Sequence, residues 1–158
     1  MRPANSARVR RALLEDAATL ARHRVELFRS VLPPDRQAGL EVLYLPSLEA
    51  VRETMAAGTS LAWVADEPEP KGSLLMHLVR RLPSPTSPEG REGYVIHVYV
   101  SEAAREAGLG SALLAAAEAA ARERGLSRIR LHAMDRALPF YARAGYVPRS
   151  NDLELVLR

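Results

Sequence analysis

The chain contains no cysteine. Disulfides, a thiolate metal site and a cysteine nucleophile are therefore excluded, and with the last any cysteine-borne acyl intermediate. Lysine is nearly absent as well: Lys71 is the only one, and the remaining positive charge is arginine. The net charge is only +3 and its members are interleaved with acids, as in Arg122-Glu123-Arg124. No basic stripe marks a nucleic-acid surface, so no nucleic-acid partner is expected. No apolar run reaches the ~18–20 residues of a membrane span. The opening MRPANSARVRRALLEDA has no apolar core of a secretory signal. A cytoplasmic location without a membrane partner is the resulting expectation. Several reaction classes lack their motifs. There is no G-K-[ST] of a P-loop, no third spaced glycine of a dinucleotide fingerprint and no G-x-S-x-G elbow. His23, His77, His97 and His132 lack the local spacing of a zinc site, so no metal is expected.

What is present is ordinary for a globular protein: 158 residues, 47% hydrophobic and 26% charged. This is the size of one domain, 1–158, with a core worth burying. Apolar periodicity and breakers place the elements. Strands are expected over 8–11, 60–65, 73–81, 94–100, 128–133, at Tyr146-Val147 and over 153–157. Helices are expected over 16–30, 48–57 (with Ser47 as N-cap), 108–124 and 138–144. Pro33-Pro34 stops the first helix, and the connection 34–46 is irregular. Residues 66–72 form a hairpin turn, and the proline-rich 82–93 a loop. The order β-α-α-β-β-β-α-β-α-β-β implies an α/β fold with a mixed sheet of about seven strands and four flanking helices.

Within that order the most informative stretch runs from Val98 to Gly125. An apolar strand passes through a short loop into Arg105-Glu106-Ala107-Gly108-Leu109-Gly110, and a long helix follows at once. The two glycines of this R-x-x-G-x-G let backbone N–H groups approach a bound group. The helix N-terminus adds unpaired donors and a positive dipole end, which favour a phosphate. About thirty residues on, Pro139-Phe140-Tyr141-Ala142-Arg143-Ala144-Gly145-Tyr146-Val147 puts an aromatic pair on a short helix that ends at glycine.

Together the two motifs resemble the GNAT superfamily of acyl-CoA-dependent N-acetyltransferases, and in order and length nearly the whole chain fits. The resemblance implies acetyl-CoA as cofactor and transfer of acetyl to a primary amine, of a small molecule or a peptide, within a ternary complex. It implies that Arg105, Glu106, Ala107, Gly108, Leu109, Gly110 and Ser111 cradle the pyrophosphate. Val98, Tyr99 and Val100 would lie on a strand splayed from its neighbour, where their backbone meets the pantetheine arm. Tyr141 would protonate the departing thiolate. The chain departs from the family's frequent R-G-K-G at Glu106 and Ala107: a basic residue is lost and an acid gained, so phosphate affinity should fall, although backbone donors do most of the binding. Met134 stands where relatives often carry serine or asparagine.

The base is not fixed by either motif. His97 lies in the central strand and titrates near neutrality; strict alternation would group it with Val95 and Tyr99, opposite Ile96, Val98 and Val100. Glu92 lies just before that strand. His23 and Glu26 share the polar face of the first helix, which in the family often walls the acceptor pocket, and are the expected substrate-binding residues. Aminoglycoside, polyamine, amino acid and protein N-terminus all remain open as acceptors. Homodimers are common in the superfamily, and nothing in the sequence demands one. The alternative from another class is a catalytically inactive, GNAT-like acyl-CoA-binding sensor, motivated by Glu106 and the missing base.

Overall fold

The computed structural model describes residues 8–65, 68–149 and 151–157. Its sheet has five strands in the order of the chain: β1 (Val9–Arg11), β2 (Ser60–Ala65), β3 (Gly72–Arg80), β4 (Arg91–Val100) and β5 (Ile129–Leu131). The first four are antiparallel, and β5 joins β4 in parallel after a helical crossover. Helices α1 (Ala17–Val31), α2 (Tyr44–Ala56), α3 (Leu109–Glu123) and α4 (Leu138–Arg143) complete the architecture. Asp66 and Glu67 of the expected hairpin turn lie outside the described residues, yet the pairing of Ala65 with Gly72 shows that β2 and β3 form that hairpin.

The alternation of the strands explains the two layers. Leu61, Trp63, Leu74, Met76 and Val95 point to one face, where α3 covers them with Leu109, Leu113, Leu114, Ala117, Ala120 and Ala121. The alanines let the helix sit close, and each buried leucine contributes roughly 1.5–3 kcal/mol. Ala62, Val64 and Leu75 face the other way, against Leu20 of α1 and Val51 of α2. Ahead of α1, Asp16 accepts the Leu13 N–H at 2.7 Å and pairs with Arg10 at 2.8 Å, which fixes β1 to the helix. The carboxyl of Asp16 is held below its ordinary range mainly by that arginine. Among the described residues no helix is long and apolar enough to cross a membrane.

The structure corrects the sequence reading in three places. Helix α2 begins at Tyr44, not Leu48, with Pro46 in its first turn, where a missing N–H costs nothing. The stretch before it holds two 3-10 turns, Pro34–Arg36 and Leu40–Leu43. Most important, among the described residues the sheet has five strands and not seven. Tyr146-Val147 and residues 153–157 make no ladder, and Leu153 is 99% exposed. The alternation of Leu153, Leu155 and Leu157 shows what a segment can pair with, not that its own chain supplies the partner.

Candidate acyl-transfer site

Two loops meet at the start of α3. After β4 a single 3-10 turn, Glu102–Ala104, leads into the loop, and there the backbone turns left-handed twice, at Glu106 (φ 73°) and Gly108 (φ 77°). The first α3 hydrogen bond is Ala112 N–H to Gly108 carbonyl, 3.0 Å. The N–H groups of Leu109, Gly110 and Ser111 thus have no acceptor within the helix. The loop from Arg105 to Gly108 is exposed, and a Cβ at Gly108 would meet nothing within 4 Å. Open space, free donors and a positive helix end suit a phosphate group. Arg105 is exposed and reaches back toward the Val100 carbonyl at a long 3.4 Å.

Helix α4 docks on this loop. A Cβ built on Gly110 would lie 3.3 Å from Phe140 Cζ, so glycine is what admits the ring. The next residue, Tyr141, is half-buried between Phe140 and Tyr146, with ring centroids 5.0 and 5.7 Å away. Burial pushes the Tyr141 phenol above its ordinary pKa. It therefore stays protonated at neutral pH, as a proton donor must.

The third part is the central strand. In β4 the register steps from Met76↔Val95 to Leu75↔His97, so Ile96 is a bulge. The bulge overturns the expected alternation. Val95, Val98 and Val100 pack on the α3 side, while Ile96 packs against the α1–α2 cluster. The Arg24 guanidinium donates to the bulge carbonyl of Ile96 at 3.0 Å. Pairing with β5 covers only Gly93–Val95, yet β4 runs on to Val100. Beyond the bulge the β5-facing edge of Val98, Tyr99 and Val100 therefore has no ladder among the described residues.

On the α1 side of β4 a buried polar chain appears. Ser73 Oγ is 2.8 Å from His23 Nδ1 and 3.1 Å from His97 Nε2. Ser73 is 0% and His97 4% exposed. The Pro70 backbone, which can only accept, acts on the His23 ring in favour of its protonated form. With Nε2–H turned toward it, Nδ1 is the acceptor from Ser73 O–H. Ser73 in turn accepts from His97 Nε2–H, and the lone pair of His97 sits on Nδ1. This tautomer follows from the network. Burial, reinforced by Arg24 and His23, pulls the His97 pKa down to about 3, and burial lowers that of His23. Tyr99 lies on His23 with ring centroids 4.6 Å apart, its phenol raised by burial and by Glu26. Glu26 is paired with Arg29, which also holds Glu41 at 3.0 Å.

A family model described as "Acetyltransferase (GNAT) family" matches residues 25–146. The chain belongs to the GNAT acetyltransferase family. Solved structures share the fold. A GCN5-related N-acetyltransferase from Ralstonia eutropha is 28% identical, with TM-score 0.84 over 95% of this chain and 98% of the other. A predicted acetyltransferase with acetyl-CoA from Clostridium acetobutylicum is 21% identical, TM-score 0.82, over 95% and 96%. A transcriptional regulator from Bacillus halodurans is 24% identical, TM-score 0.73, over 96% and 99%. No curated protein sequence matches the chain.

In this GNAT chain the fold joins some of the expected residues and separates others. Residues 105–111 form one loop and helix start, exposed from Arg105 to Gly108 with the Leu109 side chain in the core, and Gly110 touches the helix that carries Tyr141. His23, Glu26, His97 and Tyr99 gather on the opposite, α1 side. Glu92 lies within β4, buried and held by Arg81, by Arg130 at 3.5 Å and by Arg128 at 3.9 Å. Sequence reasoning missed Ser73, the link between the two histidines. Its signal was its place opposite Tyr99 in the hairpin, which only the register reveals. Arg24 was missed too, because its partner is a backbone carbonyl exposed by an unforeseen bulge.

Proposed function

We propose that this protein is an N-acetyltransferase that moves acetyl from acetyl-CoA to a primary amine by direct transfer in a ternary complex. The observation that carries the reading is the contact of Gly110 with Phe140, by which the phosphate-type loop and the tyrosine helix come together. The open N–H groups of 109–111 and the left-handed turn at Gly108 fit a pyrophosphate. The unladdered edge of Val98–Val100 fits the amide groups of an extended pantetheine arm. When bound, acetyl-CoA supplies an acetyl group activated as a thioester. The chain's residues do the rest. The backbone of β4 fixes the carbonyl to be attacked. Tyr141 gives its phenolic proton to the sulfur as the C–S bond breaks and the C–N bond forms.

The proton lost by the amine needs an acceptor. His97 fills that role in this reading, through its Nδ1 lone pair. Burial pulls its pKa down to about 3, so it is neutral, with that lone pair unprotonated, at neutral pH. The chain through Ser73 passes the charge toward His23, where burial disfavours the cation and Pro70 and Glu26 offset part of that cost. His23 and Glu26 then also face the amine side of the site.

The test is thiol release from acetyl-CoA across a panel of primary amines, with Tyr141→Phe beside the wild type. Amine-dependent release that falls about 10²–10⁴-fold in Tyr141→Phe, with acetyl-CoA affinity kept, is expected for loss of a general acid. Saturable binding with no amine-dependent release would establish instead the sensor reading, which the acidic Glu106 in the loop favours.

A further inference from the structure

Arg24 is a charge without a counter-charge. It lies on α1, half-buried, with its guanidinium carbon 4.6 Å from the centroid of the Phe28 ring. Its Nη1–H donates to the Ile96 carbonyl at 3.0 Å, and among the described residues that is its one hydrogen bond. No carboxylate pairs with it there. Glu26 is held by Arg29, Glu41 by Arg22 and Arg29, and the buried Glu92 by Arg81, Arg128 and Arg130. Burial lowers the pKa of Arg24 itself. The cation in turn adds to burial in lowering the pKa of His77 and of His97, as an uncompensated charge does. Taking such a charge partly out of water costs free energy that a counter-ion offsets.

The unused part of the guanidinium has a defined shape. Nε–H and one Nη2–H point the same way and match both oxygens of a carboxylate. Neither nitrogen is sealed off, since among the described residues the Tyr146 hydroxyl is the single buried side-chain polar atom without a partner. The position fits an acceptor as well. Ile96 is the bulge, and the unladdered edge begins two residues on at Val98, roughly 7 Å at 3.3 Å per residue. A second guanidinium stands on the α1 side, where Arg136 of the turn after β5 donates to the Ser30 carbonyl at 2.9 Å.

We propose that Arg24 binds the carboxylate of the acceptor, so that the amine acetylated is that of a small amino acid. The two carboxylate oxygens accept from Nε–H and Nη2–H, while Nη1–H keeps its bond to the Ile96 carbonyl. The bulge carbonyl holds the guanidinium in place before the substrate arrives, which lowers the ordering cost of binding. With the carboxylate at Arg24 and the acetyl group on the Val98–Val100 edge, only a few bonds separate carboxylate from amine. A polyamine or an aminoglycoside would instead bring positive charge to two guanidinium groups. The amine of a protein lysine carries no carboxylate within that reach. The inference rests on the acyl-transfer reading for the fate of the amine, and on Arg24 for the carboxylate.

The test runs a panel of amino acids, each beside its own amide, in the thiol-release assay with wild type, Arg24→Gln and Arg24→Lys, all checked by circular dichroism. An amide keeps the amine and loses the negative charge. Wild type should prefer the acid to the amide in kcat/KM. Arg24→Gln should cut kcat/KM for the acid about 10–100-fold, the range of a charge-assisted hydrogen-bonded pair, and leave the amide unchanged. Arg24→Lys keeps the charge but not the fork, and should fall less. A preference for the amide, or an acid-to-amide ratio that neither variant moves, would overturn the proposal. So would an equal fall for acid and amide, the mark of a structural role at the bulge. If no amine supports thiol release, it is the acyl-transfer reading that fails. Calorimetric titration of the same amino acids into the protein with coenzyme A present then tests Arg24 directly. Binding weakened about 10–100-fold in Arg24→Gln would uphold the carboxylate site, and binding that is absent or unchanged would overturn it.

Discussion

Glu106 is the residue at which the phosphate-loop reading is most exposed. It is solvent-accessible, sits between Arg105 and Ala107, and holds a left-handed backbone at φ 73°. For a pyrophosphate in the loop, with its two charges taken at about 7 Å from this carboxylate, the repulsion is about 1.2 kcal/mol at the dielectric of water. Screening leaves about 0.9 kcal/mol at 10 mM salt and about 0.5 kcal/mol at 0.15 M. Glu106→Gln removes the charge and keeps the backbone. It should tighten coenzyme A binding about fivefold at 10 mM salt and about twofold at 0.15 M, since 1.4 kcal/mol is tenfold. Glu106→Gly should show the same gain and also relieve a left-handed L-residue, worth roughly 1 kcal/mol before the added freedom of glycine in the unfolded chain is subtracted. Calorimetric titration at the two salt concentrations reads the gain in binding, and urea unfolding reads the relief of strain. Unchanged or weaker binding of Glu106→Gln at low salt would refute the placement of an anion in this loop.

The buried histidine chain gives two further predictions. His97 has a folded pKa of about 3 against an unfolded value near 6.5. As pH falls below 6.5 the unfolded chain takes up the proton first, so stability falls by about 1.4 kcal/mol per pH unit for this group and is flat above 6.5. His97→Gln should make urea-unfolding stability shallower between pH 6.5 and 5, before most carboxylates titrate, with a smaller residual slope from His23. An unchanged slope would contradict the burial of a neutral His97. Ser73→Ala strips the hydroxyl from between two buried imidazoles and should cost about 2 kcal/mol in the same assay, the penalty of unmade buried hydrogen bonds. A loss below about 0.5 kcal/mol would mean that the two rings are not bridged.

What the sequence disclosed divides along physical lines. Helices α1 and α3 were legible to within a residue, because long apolar stripes and the breakers Pro33-Pro34 and Gly125 leave little choice. The left-handed loop into α3 was legible because glycines at a strand-to-helix junction have few other uses. The bulge was not: Tyr94-Val95-Ile96-His97-Val98-Tyr99-Val100 is rich in strand formers throughout, so nothing marks Ile96 as the extra residue. With the bulge hidden, the facing of Val95 was misassigned, and the link from His97 through Ser73 to His23 could not be seen. The last two strands failed for another reason. Leu153, Leu155 and Leu157 carry a strand's pattern, but pairing is a property of the partner as well as of the segment.

The central claim is that residues 105–111 hold coenzyme A against the helix of Tyr141. Titration of the purified protein with acetyl-CoA measures this most directly, with Gly110→Leu as the comparison, since Phe140 already stands 3.3 Å from where a Cβ would be. The account predicts saturable binding at one site per chain that the substitution abolishes while circular dichroism stays unchanged. No binding by the wild type at millimolar acetyl-CoA, or full binding by a folded Gly110→Leu, would contradict it.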